Sequence, residues 1–135
     1  MRHCDKGGAT AGRAVVKIVL IAAAGAAGAL TRYGIGLAVG VRSFPWGTFS
    51  INLSGSFLLG FLLAFGIERG WSDTTVVPMT VGFLGAFTTF STFSYEAFTL
   101  ARTDRELTAL IYVVASVVGG LLAAGAGYAA ARRVA

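Results

Sequence analysis

The chain has 135 residues, of which 56% are hydrophobic and only 13% charged, and its mean hydropathy is +0.75. Soluble domains carry about a quarter charged residues, so this composition excludes an ordinary soluble domain and marks a single-domain membrane protein. The formal net charge of +5 is not gathered into a long basic cluster, so nucleic acid is excluded as a partner, and the basic loops of a membrane protein are sufficient explanation.

Residues 1–13 are polar and rich in Gly and Ala and read as a mobile tail. The tail holds the only histidine, His3, and the only cysteine, Cys4. An intrachain disulfide, a Cys/His metal site and a Ser/His/Asp arrangement are therefore excluded, and no enzyme is expected. The first membrane segment is predicted over residues 15–41, inside a transmembrane domain of residues 14–133. Lys17 interrupts this apolar run early and the run continues past any cleavage site, against a secretory signal. Gly36 and Gly40 are spaced for close helix contact. Arg32 lies in the second half of the segment, where it either snorkels to the interface or forms an electropositive mouth that draws in anions.

The turn around Pro45 leads, through Trp46 at the interface, to a second segment over residues 47–67. Thr48, Asn52 and Ser56 stand at i, i+4 and i+8 and share one helical face. The Asn52 amide cannot be satisfied by lipid, and it is either an interhelical clamp or a functional donor. A short polar connection with Trp71 precedes the third segment, residues 76–100. This segment contains the densest polar run of any span, Thr88-Thr89-Phe90-Ser91-Thr92-Phe93-Ser94-Tyr95-Glu96. Hydroxyls that lipid cannot satisfy should face protein, water or a transported ion. Phe87, Phe90 and Phe93 stand at i, i+3 and i+6, close to one helical face. Gly82, Gly85 and the Thr88-Thr89 pair are poor helix formers, so a break near mid-membrane is predicted.

The fourth segment, residues 107–131, places Tyr112, Ser116 and Gly120 on one face and the packing stripe Gly119, Ala123 and Gly127 on another. Four segments put both termini on one side. That side holds seven Lys and Arg against four on the other, or five against four without Arg2 and Lys6. With so weak a bias, two copies could insert in opposite orientations and form an antiparallel pair that mimics an inverted repeat.

Most of the polar groups gathered on the shared faces are hydroxyl or amide donors, and none is cationic. Phenyl edges carry partial positive charge, so Phe90 and Phe93 can present edges to an anion. A path of neutral donors replaces an anion's water without holding it too tightly to release. Four such helices pack too closely to enclose a pore, which points to a path at a subunit interface. A small proton-coupled multidrug exporter needs a carboxylate deep in the membrane, for which Glu96 is the sole candidate. A non-transporting scaffold explains the small-residue stripes but not the Thr/Ser/Phe run.

Three stretches resemble the Fluc or CrcB family of small fluoride channels. They are Gly25-Ala26-Ala27-Gly28-Ala29-Leu30-Thr31-Arg32-Tyr33, Gly47-Thr48-Phe49-Ser50-Ile51-Asn52-Leu53-Ser54-Gly55-Ser56-Phe57 and Thr88-Thr89-Phe90-Ser91-Thr92-Phe93-Ser94. The resemblance implies an antiparallel dual-topology dimer, of this chain with itself or with a homologous chain, in a prokaryotic plasma (cell inner) membrane. It implies two fluoride pores, each lined by Asn52, Phe90 and Phe93. Thr48, Ser91, Thr92, Glu96, Tyr112 and Ser116 follow along the same route, and Arg32 takes the vestibule position. A structural sodium ion at the dimer centre is implied on the carbonyls of Gly85 and Thr88. Ala86 stands where many members carry a second Gly, and Gly120 where relatives often carry Ser. The implied role is passive export: hydrogen fluoride enters neutral and dissociates inside, and the channel releases the anion down its gradient.

Overall fold

The computed structural model describes residues 6–135, with side chains from Gly12 onward; His3 and Cys4 lie outside the described residues. Six α-helices form four long apolar spans. The first span is α1 (Lys6–Val39) and the second α2 (Trp46–Glu68). The third is composite: α3 (Asp73–Val77), π-helical turns over Pro78–Leu84, α4 (Gly85–Phe87) and α5 (Phe90–Arg102). The fourth is α6 (Glu106–Val134). The chain is a four-span, multi-pass membrane protein.

The first helix starts earlier than the apolar run predicts. Its 34 residues make it about 50 Å long, well beyond a hydrocarbon core of about 30 Å. The extension runs through Gly7, Gly8 and Gly12, which are poor helix formers, so local propensity does not account for it.

The helix ends follow from local chemistry. Gly40 has φ 65° and its amide reaches the Gly36 carbonyl at 3.0 Å, a left-handed stop after α1. Neither Gly36 nor Gly40 has an atom within 4 Å of where a Cβ would stand. The close helix contact predicted from their spacing is therefore absent within the protomer, because Gly40 is spent on ending the helix. Pro45 precedes α2, and Gly70 (φ 61°) turns the chain after it.

Packing sorts the spans into two pairs. The first span lies along the π-helical turns and α4; α2 lies along α6, and α5 also packs on α6. Backbones touch where side chains are missing. A Cβ on Gly28 would run into the Phe83 backbone, one on Gly60 into the Ala124 carbonyl, and one on Gly127 into the Phe57 carbonyl. The stripe of Gly119, Ala123 and Gly127 is thus a packing surface, with Gly119 against Leu53. Gly127→Val should cost about 3 kcal/mol or more, since a backbone neighbour cannot rotate away. It should lower the melting temperature in detergent, whereas Gly125→Ala on the same helix, in open space, should leave it unchanged.

Two small apolar clusters bracket the third span. Ile51, Leu84 and Phe87 form one, and Phe93, Leu100, Ala109 and Tyr112 the other. Most remaining large apolar side chains are exposed, among them Val15, Ile18, Leu37, Val81, Leu121 and Leu122. Such an outer surface suits lipid or a partner helix. At one end Lys17–Asp73 and Arg132–Glu68 pairs, each at 3.8 Å, tie helix ends together. At the other, Arg105 donates to the Ser43 carbonyl.

Candidate functional site: an interrupted helix between two polar clefts

The third span loses its helical path at Thr88 and Thr89, which have extended backbones (ψ 157° and 114°). Both are β-branched, with hydroxyls that compete for nearby backbone groups. The Thr88 amide and hydroxyl both donate to the Leu84 carbonyl, at 3.0 and 2.9 Å, closing α4. The Thr89 hydroxyl oxygen accepts from the Thr92 amide at 3.3 Å and so caps α5. Gly55 on α2 makes the room, since a Cβ there would meet the Thr88 methyl.

Backbone groups freed at such a break need partners. Asn52 supplies two. Its Oδ1 accepts from the Thr89 amide at 2.9 Å, and its Nδ2 donates to the Thr89 carbonyl at 3.1 Å. The residue is an interhelical clamp, and it also lines a cleft. From the other side, Arg32 Nε donates to the Ala86 carbonyl at 3.1 Å. The carbonyls of Gly85 and Thr88 lose the amides that would cap them in a continuous helix. The Thr89 amide goes to Asn52 and the Thr92 amide to the Thr89 hydroxyl.

Nearly two turns into α5, Glu96 draws three helices together. Thr48 Oγ1 donates to its Oε1 at 2.9 Å, and Tyr112 Oη donates to its Oε2 at 2.8 Å. Tyr112 is wholly buried and Thr48 nearly so. Each carboxyl oxygen therefore has its own hydroxyl donor, which offsets the cost of an acid within a span.

Two clefts meet at the break. One, of about 330 Å³, is lined by Asn52, Ser56, Thr88, Phe90, Phe93 and Ser116. The other, of about 770 Å³, has Arg32, Thr48, Thr92, Tyr95 and Glu96 among its lining residues, and Thr89 borders both. Among the described residues, Ser116 Oγ is the one buried side-chain polar atom without a protein partner. In a cleft lined by neutral donors, such a hydroxyl is free to serve water or an ion.

The aromatic run does not form one face. Phe87 packs with Ile51 and Leu84, because the break rotates α5 away from α4. Phe90 is 80% exposed and Phe93 only 9%; their ring centroids lie 5.7 Å apart at 45°. Phe93 also meets Tyr112 at 5.1 Å.

The sequence-predicted residues thus divide. Asn52, Phe90, Phe93, Ser116, Gly85 and Thr88 border the first cleft, and Thr48, Thr92, Glu96 and Arg32 the second. Tyr112 reaches the second through Glu96. Ser91 is exposed and lines neither cleft; its hydroxyl lies 3.4 Å from that of Thr89. Sequence reasoning left three polar residues of the first cleft out of the site. Ser56 carried a signal, one turn beyond Asn52, and Thr89 another, beside Thr88. Thr80 carried only its hydroxyl, which donates to the Val76 carbonyl.

Four apolar spans, hydroxyl and amide groups gathered on an interrupted helix, and two clefts that meet at the break define a small multi-pass membrane protein. A family model described as "CrcB-like protein, Camphor Resistance (CrcB)" matches residues 19–128. The chain belongs to this CrcB family. It is 48% identical over 113 residues to "Fluoride-specific ion channel FluC 2" of Geobacillus kaustophilus, covering 81% of this chain and 88% of the relative. It is 45% identical over 106 residues to the protein of the same name from Clostridium acetobutylicum, covering 76% and 87%. To "Fluoride-specific ion channel FluC" of Hahella chejuensis it is 44% identical over 125 residues, covering 89% and 98%. These relatives are named as ion channels, not as enzymes.

Proposed function

We propose that this chain is a subunit of a fluoride-selective passive channel that exports cytoplasmic fluoride across a bacterial cell membrane. The observation that carries the reading is the cleft of neutral donors and phenyl rings at the break, in a chain whose relatives are named for fluoride. A small anion gives up its water only where donors replace it, and the free hydroxyl of Ser116 and the second Nδ2 hydrogen of Asn52 are of that kind. Among the described residues, no Lys or Arg lines this cleft, so the anion is held weakly enough to leave.

The working unit in this reading is an antiparallel dual-topology dimer, with itself or with a homologous chain, and with two pores. The exposure of Phe90 supports this, because a ring presented outward lines a path only when a second chain closes it. Asn52, Phe90, Phe93 and Ser116 line each path, and Thr48, Ser91, Thr92, Glu96 and Tyr112 continue it. Arg32 borders the wider cleft as its vestibule.

A sodium ion at the centre of the pair fits the donors. The Gly85 and Thr88 carbonyls are hard oxygens without their helical partners, and Gly85 is exposed. Two carbonyls are fewer oxygens than a hard cation takes, so a site shared by two chains is the natural completion. When bound, sodium would supply a fixed positive charge joining the two breaks.

Fluoride efflux from liposomes holding the purified protein tests the reading, with chloride as the control. Fast fluoride release with little chloride release is expected. Silence to both ions, persisting after co-reconstitution with a homologous chain from the same source, would overturn it.

A further inference from the structure

Three side chains share the loose ends of the interrupted helix. Asn52 takes both backbone groups of Thr89, and the Thr89 hydroxyl takes the Thr92 amide. The third is Arg32, whose Nε donates to the Ala86 carbonyl at 3.1 Å across 54 positions of sequence. In a continuous helix that carbonyl would be capped by the amide four residues on, in the first turn of α5.

Arg32 also stands one helical turn beyond Gly28, where α1 meets the Phe83 backbone so closely that a Cβ would collide. The first helix therefore grips the third span twice: by backbone contact at Gly28 and, a turn later, by the Arg32 side chain. Ala86 adjoins Gly85 and is two residues from Thr88. A side chain that fixes the Ala86 peptide thereby fixes the plane in which the neighbouring carbonyls point.

We infer that Arg32 is a positioning residue for the break, and that it acts through the Nε–H donor rather than through its positive charge. This deepens the channel reading and rests on it only where flux is concerned. A charge at a mouth and a strut on a carbonyl make opposite demands on substitution. Glutamine has an amide nitrogen the same number of bonds from Cα as arginine Nε, and no charge. Lysine keeps the charge but carries its nitrogen one bond farther out. Methionine offers neither.

The test is amide hydrogen exchange of the whole protein in detergent, read on the peptide carrying Thr88, Thr89 and Thr92, whose amides are all engaged at the break. Arg32→Met should speed exchange there about tenfold, while Arg32→Gln should stay within about twofold of the parent. Arg32→Lys should exchange faster than Arg32→Gln. Should Arg32→Met fail to fold, the glutamine and lysine variants still decide. Glutamine exchanging faster than lysine, or methionine matching the parent, would overturn the inference. Fluoride efflux of the same set should follow the same order, with glutamine the most active variant. A parent protein silent in efflux would count against the channel reading alone, because the exchange arm needs no transported ion.

Discussion

Replacing Phe90 and Phe93 together by isoleucine should slow fluoride efflux by up to about a hundredfold while leaving the oligomer intact on size exclusion. Isoleucine keeps an apolar side chain of moderate bulk but has no ring quadrupole, so the partially positive edge that can face an anion is lost. Taking the edge contact of an aromatic pair, about 0.5–1.5 kcal/mol, as the scale for each ring, the two are worth up to about a hundredfold in rate. The two positions should not contribute alike. Phe90 is exposed, so Phe90→Ile alone should change flux without changing melting temperature. Phe93 is buried against Tyr112, so Phe93→Ile should lower both. Efflux near the parent rate in the double variant would show that the rings are only packing.

Asn52 should separate clamp from conductor. Asn52→Leu removes the donor and the acceptor that hold Thr89 at 3.1 and 2.9 Å. Each unsatisfied group costs about 1–3 kcal/mol in a protein interior, and interhelical bonds measured in membranes average nearer 0.6 kcal/mol. A loss of about 1–4 kcal/mol is therefore expected, seen as a lower melting temperature together with silent liposomes. Asn52→Asp keeps an acceptor for the Thr89 amide but, when ionised, has no donor and places negative charge in the cleft. It should melt closer to the parent and still conduct at least about tenfold less. Equal conduction by the aspartate variant would confine Asn52 to the clamp.

The four spans were legible because apolar length is a local property. So was the polar face of α2, where Thr48, Asn52 and Ser56 reach Glu96, Thr89 and the cleft in turn. Periodicity failed where its premise failed. Counting Phe87, Phe90 and Phe93 onto one face assumes an unbroken helix, and two extended residues lie between the first and the others. The Gly36 and Gly40 spacing had two meanings, packing or helix ending, and only the φ of Gly40 decides between them. The bonds of Arg32 to Ala86 and of Tyr112 to Glu96 span 54 and 16 positions. Nothing in the local sequence names such partners, since they depend on which spans lie side by side.

The pairing of α2 with α6 bears on how the chain is made. These helices are neighbours in space, yet the whole third span separates them in sequence. The Tyr112 hydroxyl that serves Glu96 sits on a helix made after the third span. Until it is made, Glu96 has only its Thr48 donor in this chain, and Gly60 of α2 lacks the Ala124 backbone it packs against. The third span is therefore made before the helix that completes its polar contacts.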